Sequence, residues 1–150
     1  MCKTQLMRTI ALVFLSLTFL AVSSCKKLND TINNVKTQGS LSATIDGKEY
    51  SAGATTISFG SKTLWLKGSN FSSDEELSIT ISNYDKAVTK YTLDNIYNTA
   101  DYSGDKGDLD SDSGELEIQS TGEKSAKGTF HFESQDGRKV TNGSFNVSWD

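Results

Sequence analysis

Cysteine and histidine are nearly missing from this sequence, and their scarcity removes whole classes of chemistry. The 150 residues include two cysteines, Cys2 and Cys25, and one histidine, His131. A nitrogen and sulfur zinc site has too few ligands to form, and dithiol redox chemistry lacks its paired motif. No G-x-S-x-G turn is present to activate a serine for acyl transfer. His131 sits in "GTFHFE", where alternation sets it opposite Phe130 and Phe132, beside Thr129 and Glu133. A general base needs a partner and a pocket, so a solitary strand histidine reads as a surface residue. No basic cluster is larger than Lys26-Lys27, and nucleic-acid binding depends on Lys and Arg contacts to phosphate. No nucleic-acid partner is expected.

Long apolar runs are equally scarce. The one candidate, "IALVFLSLTFLAV" at residues 10–22, follows Lys3 and Arg8. It is shorter than the roughly 20 apolar residues that cross a bilayer core of about 30 Å, and it fits the middle of a secretory signal. Its end, "VSSC" at residues 22–25, resembles the lipobox of bacterial lipoproteins. That resemblance implies a signal peptide over residues 1–24, cleavage between Ser24 and Cys25, and acylation of Cys25 as the new N-terminus. Each buried methylene contributes about 0.8 kcal/mol, and several acyl chains make attachment lasting. The expected partner of Cys25 is therefore membrane lipid, and the expected address is the cell envelope. Cys2 would leave with the signal, so no intramolecular disulfide could form. Loss of Lys3 and Arg8 leaves 13 basic residues against 19 acidic ones, a net charge of −6, which favours solubility.

Residues 26–39, "KKLNDTINNVKTQG", are polar and without periodicity, and read as a tether. As a flexible coil they would span roughly 20 Å. Within them "DTI" resembles the short O-glycosylation motif of Bacteroidetes envelope proteins, which implies Thr31 as the acceptor. Lys26 and Lys27 stand where surface-exported lipoproteins of this kind carry acids, which favours an outer-membrane position facing the periplasm.

From residue 40 to 150 the composition is that of a single β domain: threonine, serine, isoleucine and aromatics in short alternating runs broken by glycine. In "SLSATIDGKEYSA", Leu41, Ala43 and Ile45 alternate with polar residues, and Asp46-Gly47 suits a two-residue type I′ turn. "TTISF", "KTLWLKGSN" and "ELSITIS" read as three further strands, the last with Leu77, Ile79 and Ile81 on one face. Four tyrosines in the irregular middle, Tyr84, Tyr91, Tyr97 and Tyr102, are expected to cover an edge of the core with their hydroxyls wet. "GELEIQS", "KGTFHFES" and the closing "QDGRKVTNGSFNVSWD" complete the set, with a bulge at Asn142-Gly143 because Val140 is out of phase with Phe145, Val147 and Trp149. Eight or nine such strands predict an antiparallel β-sandwich, with a small β-barrel as the alternative. The absence of proline has no physical account in such a fold.

Residues 43–52, 114–118, 128–132 and 142–145 together resemble a group of uncharacterised Bacteroidetes-type lipoproteins. That group shares an "ATIDGKxFSA"-like hairpin, a "G-x-L-x-I" strand and a late "GTFxF … NGxF" pair. The shared residues are turn glycines and inward aromatics, so the resemblance implies a scaffold and an address, and no activity.

The densest set of oxygen ligands is "DYSGDKGDLDSDSGELE", residues 101–117. Calcium takes six to eight oxygens, which makes Asp105, Asp108, Asp110 and Asp112 candidate ligands. An EF-hand is excluded, since Gly114 falls one place late and Gln119 stands where the closing glutamate belongs. Otherwise no cofactor is expected. The sequence thus reads as a membrane-anchored, non-enzymatic β module for an envelope protein or glycan. Three other readings stay open: a barrel holding an apolar or sugar ligand against Trp65 and the tyrosines, a calcium-dependent module using the acidic loop at residues 101–117, and a hydrolase using paired acids.

Overall fold

Alternation dominates the fold as it dominates the sequence. The structure, a computed structural model, describes residues 39–59 and 62–149, which belong to one compact unit. Nine strands follow in chain order: β1 Gly39–Ile45, β2 Lys48–Phe59, β3 Thr63–Asn70, β4 Glu75–Ser82, β5 Lys90–Thr92, β6 Asn98–Ser103, β7 Leu109–Gly122, β8 Ser125–Ser134 and β9 Lys139–Ser148. No helix occurs among the described residues.

All the pairings are antiparallel, in the order β5-β7-β6-β4-β3-β2-β1-β9-β8, and β8 pairs again with β7. That last pairing closes eight strands into a ring and leaves β5 as an added strand on β7. Of the two architectures that alternation allows, the barrel is the one formed. An eight-stranded barrel has an interior just wide enough for side chains. Leu41, Leu64, Leu66, Leu77, Ile79, Ile81, Leu116 and Ile118 occupy it, all fully buried.

The two-residue turn is as expected, with Asp46 at φ 47° and Gly47 at φ 80°. "KEYSA" and "TTISF", which read as parts of separate strands, are one twelve-residue strand. β2 stays continuous because it changes neighbour midway, pairing with β1 through residues 48–54 and with β3 through residues 54–59. The bulge at Asn142-Gly143 is present: Asn142 has φ 50°, and the registers of β9 with both β1 and β8 shift there.

Three phenylalanines each face a glycine across a strand pair: Phe132 with Gly114, Phe145 with Gly128 and Phe130 with Gly143. At Gly128 and Gly143 the ring lies where a Cβ would be, and at Gly114 the Cα and Cβ of Phe132 do. A Cβ on Gly128 would come 2.7 Å from the Phe145 ring and would also overlap the Glu117 carbonyl. These strands approach closely because one partner has no side chain.

Contacts join the connections at both ends of the barrel. At the end carrying residues 83–97, buried Tyr84 meets Trp149 edge-on at 6.4 Å and Tyr91 at 6.5 Å. At the other, Arg138 from the β8–β9 turn donates to the carbonyls of Lys106 (2.8 Å) and Asp108 (2.7 Å) in the β6–β7 turn.

Inserting a methyl group into this packing is expected to destabilise the fold. Gly128→Ala should lower unfolding free energy by roughly 1–3 kcal/mol, measured by urea denaturation. An unchanged midpoint would mean that the ring and strand relax freely around the new Cβ.

Candidate functional site

The β4 alternation that buries Leu77, Ile79 and Ile81 also turns Glu75 inward. A carboxylate at an inward position must be paired or it neutralises. Glu75 is 5% exposed and accepts three hydrogen bonds: from Ser73 Oγ at 2.6 Å, Lys48 Nζ at 2.9 Å and the Tyr102 hydroxyl at 2.9 Å. Lys48 opens β2 and also reaches Asp105 Oδ2, in the β6–β7 turn, at 3.3 Å. Tyr50 donates to the Gly68 carbonyl at 2.7 Å, and its ring stands edge-on to Tyr102 at 6.2 Å. Gly104 leaves room for the Tyr102 hydroxyl, which a Cβ there would strike.

This cluster sits where the wall of the barrel is split. The β2–β3 ladder stops at Ala54 and Gly68, so the first half of β2 has backbone pairing with β1 alone. Side chains bridge the remaining gap: Tyr50 to β3, Lys48 to β4 and, through Glu75, Tyr102 on β6.

The electrostatics fix the protonation states. Hydrogen bonds from Ser73 and then Lys48, with a smaller one from Tyr102, hold Glu75 at about 2 against the opposing effect of burial. Burial pushes Tyr50 up to about 12 and raises Tyr102, which the neighbouring Glu75 charge raises further. Hydrogen bonds to Glu75 and Asp105 raise Lys48. Near neutral pH the carboxylate stays charged and both phenols stay neutral. The cluster is therefore built to hold charge in place, whereas a general acid or base works best with a pKa near the operating pH.

Of the acids singled out from the sequence, Asp108, Asp110 and Asp112 line one open depression and Asp105 does not. Asp105 is engaged with Lys48. Asp108 accepts from Ser103 Oγ at 2.6 Å. Asp110 stands opposite Asp101 across β6 and β7, and Asp101 is raised by partial burial and then by the Asp110 charge. Asp112 is exposed farther along β7 and lines an open depression with Asn95, Asp108, Asp110 and Asp136. Among the described residues no three His, Cys, Asp or Glu side chains are grouped to hold a metal.

The aromatics also depart from expectation. Tyr84 and Tyr102 are buried to the hydroxyl, with Thr121 Oγ1 and Glu75 as partners, while Tyr97 is 71% exposed. Trp65 faces outward, donating to Ser78 Oγ at 2.8 Å beneath Lys67, so it lines no lumen. His131 is exposed on the outer wall, opposite Glu115. Ser24, Cys25 and Thr31 lie outside the described residues.

A family model matches residues 37–148, which is the barrel from just before β1 to the last residue of β9. The chain belongs to the family described as Domain of unknown function (DUF6252). No curated protein and no solved structure matches it. The DUF6252 match thus contains the Glu75 cluster and every strand, and begins after the lipobox-like segment.

Sequence reasoning overlooked Glu75, although the phase that assigned Leu77, Ile79 and Ile81 to one face includes residue 75. A depressed carboxylate contributes stability above its unfolded value and loses it as pH falls through the folded one. Glu75→Gln should therefore cost roughly 2–3 kcal/mol at pH 7, with the difference from wild type vanishing between the ordinary 4.5 and about 2. Denaturant titrations at a series of pH values measure this; a constant difference across that window would assign the effect to shape alone. Separately, thermal midpoints in millimolar calcium and in excess chelator should coincide. A site occupied at about 100 times its dissociation constant would instead add roughly 2.7 kcal/mol.

Proposed function

We propose that this chain is a lipid-anchored envelope lipoprotein whose DUF6252 barrel serves as a non-enzymatic binding or structural module. The observation that carries the reading is "VSSC" at the end of a short apolar run, followed by a polar stretch and then by the barrel. The lipid contact is made by Cys25, and the module stands at the outer membrane facing the periplasm.

The barrel interior supports a surface role over a lumenal one. Its centre is filled by leucine, isoleucine and phenylalanine side chains, and Trp65 is outside, so a ligand held in the lumen would have to displace core residues. Contacts to an envelope protein or glycan therefore fall on the outer wall and connections, where Phe71, Val88, Ile96 and Tyr97 are each more than half exposed. Lone exposed apolar residues are ordinary on a protein surface, so they indicate no particular partner.

The test is fractionation after metabolic labelling with a palmitate analogue. Wild-type protein should carry label and sediment with membranes. Cys25→Ala should lose both the label and cleavage at Ser24, as read by mass spectrometry of the N-terminus. Unlabelled wild-type protein cut elsewhere in the segment would replace this reading with ordinary secretion.

A further inference from the structure

The seam between β6 and β7 is the shortest joint in the ring, and its charges repel. It has two residue pairs, Asp101 with Asp110 and Tyr102 with Leu109, fewer than any other ladder among the described residues. One of those pairs sets a carboxylate against a carboxylate, and no other described ladder places like charges directly opposite each other. Elsewhere opposed charges attract, as in Lys90 with Glu117 and Glu133 with Lys139. Directly opposed like charges destabilise a strand pair. The two carboxyls are close enough to share a hydrogen bond, and partial burial followed by the Asp110 charge raises Asp101 above its ordinary value.

The surroundings do not relieve the repulsion. On β4, Ser78 stands opposite Asp101, and Glu76 holds Lys67 at 2.7 Å. On β6, Thr99 Oγ1 donates to Asp101 at 3.5 Å. On β7, Asp108 and Asp112 flank Asp110 along the same depression, whose far rim carries Asp136 with Arg138 bound to it at 2.7 Å. Among the described residues no ion pair reaches Asp101 or Asp110. Beyond this pair the strands part, joined there by the Ala100 amide donating to Ser111 Oγ at 2.9 Å.

We propose that the Asp101–Asp110 pair is a proton-operated latch on the β6–β7 seam. With both carboxylates ionised, this seam is where the barrel wall opens first. One proton bound between them turns the repulsion into a hydrogen bond and closes it, as facing carboxylates that cannot both ionise share one proton. Opening parts β6 from β7 and uncovers Ala100, Tyr102 and Leu109, all buried in the closed wall. The sign is opposite to that of Glu75. A carboxyl raised by folding costs stability above its folded value, and the cost disappears as pH falls through that value. The latch therefore tightens on acidification while the Glu75 cluster loosens, and it does so without reference to any lipid anchor.

Hydrogen exchange of the Ala100 amide reads the seam directly, because its acceptor lies across it on β7. Asp110→Asn keeps the shape of a protonated carboxyl and removes the opposing charge. At pH 7, in excess chelator so that no divalent cation stands in for the proton, it should slow Ala100 exchange by about twofold to fivefold. Amides of the β3–β4 ladder should change less. Asp112→Asn removes the same charge from the same depression but not from opposite Asp101, and should leave Ala100 unchanged. After correction for the intrinsic rate, the difference between wild type and Asp110→Asn should vanish as pH falls through the carboxylate range. If Asp110→Asn does not fold, Asp101→Asn makes the same change from the other strand and is read in the same way. Unchanged or faster Ala100 exchange at pH 7 would overturn the proposal. So would equal slowing by Asp112→Asn, which would assign the effect to the general acidity of the wall, and so would equal slowing in every ladder, which would assign it to the whole fold.

Discussion

One buried carboxylate holds together the part of this barrel that its backbone leaves open. Glu75 faces inward on β4 and joins Lys48 of β2 and Tyr102 of β6. A charge removed from water is tolerable only with close partners: Tyr102 comes from β6, which is laddered to β4 through Leu77, whereas Lys48 comes from β2, which no ladder joins to β4. The requirement to satisfy Glu75 therefore becomes a requirement on wall geometry. Gly104 follows from it, making room for the Tyr102 hydroxyl, while Gly68 leaves room for Leu41 and Tyr50.

The rest of the wall shows the same compromise between ladder and side chain. Where β6 leaves β7 after two residue pairs, the fully buried Ser111 accepts a hydrogen bond from the Ala100 amide at 2.9 Å. β5 takes up the edge of β7 that β6 has left, opposite residues 115–117. On the far side, β7, β8 and β9 approach closely through their phenylalanine–glycine pairs. The barrel is thus tightly laddered over its C-terminal strands and partly clasped by side chains around β2, β4 and β6.

Much of this was legible in the sequence because it rests on local rules. The Asp46-Gly47 turn, the alternation of Leu77, Ile79 and Ile81, and the bulge announced by the phase of Val140 each depend on a few adjacent residues. What escaped depends on distant ones. Whether the strands form one closed sheet or two facing sheets is decided by the pairing of β7 with β8 while β6 and β5 hold the other edge of β7, and periodicity carries no record of neighbours. Tyr102 read as a surface ring because its partner, Glu75, is 27 positions away. The aspartates of residues 105–112 crowd the sequence, and the fold divides them: Asp105 turns to Lys48, while Asp108, Asp110 and Asp112 line one open depression.

The place of β1 has a consequence for how the molecule is made. The first strand lies between β2 and β9, so its second neighbour is the last strand of the chain. Contacts across such separations are slow to form, because loop closure must precede any gain from them. A chain emerging N-terminus first can fold the β1–β2 hairpin at once, but one edge of β1 stays unsatisfied until residue 147 has arrived. During that interval the exposed strand is open to mispairing, and the barrel matures as a late, cooperative event once the chain is complete.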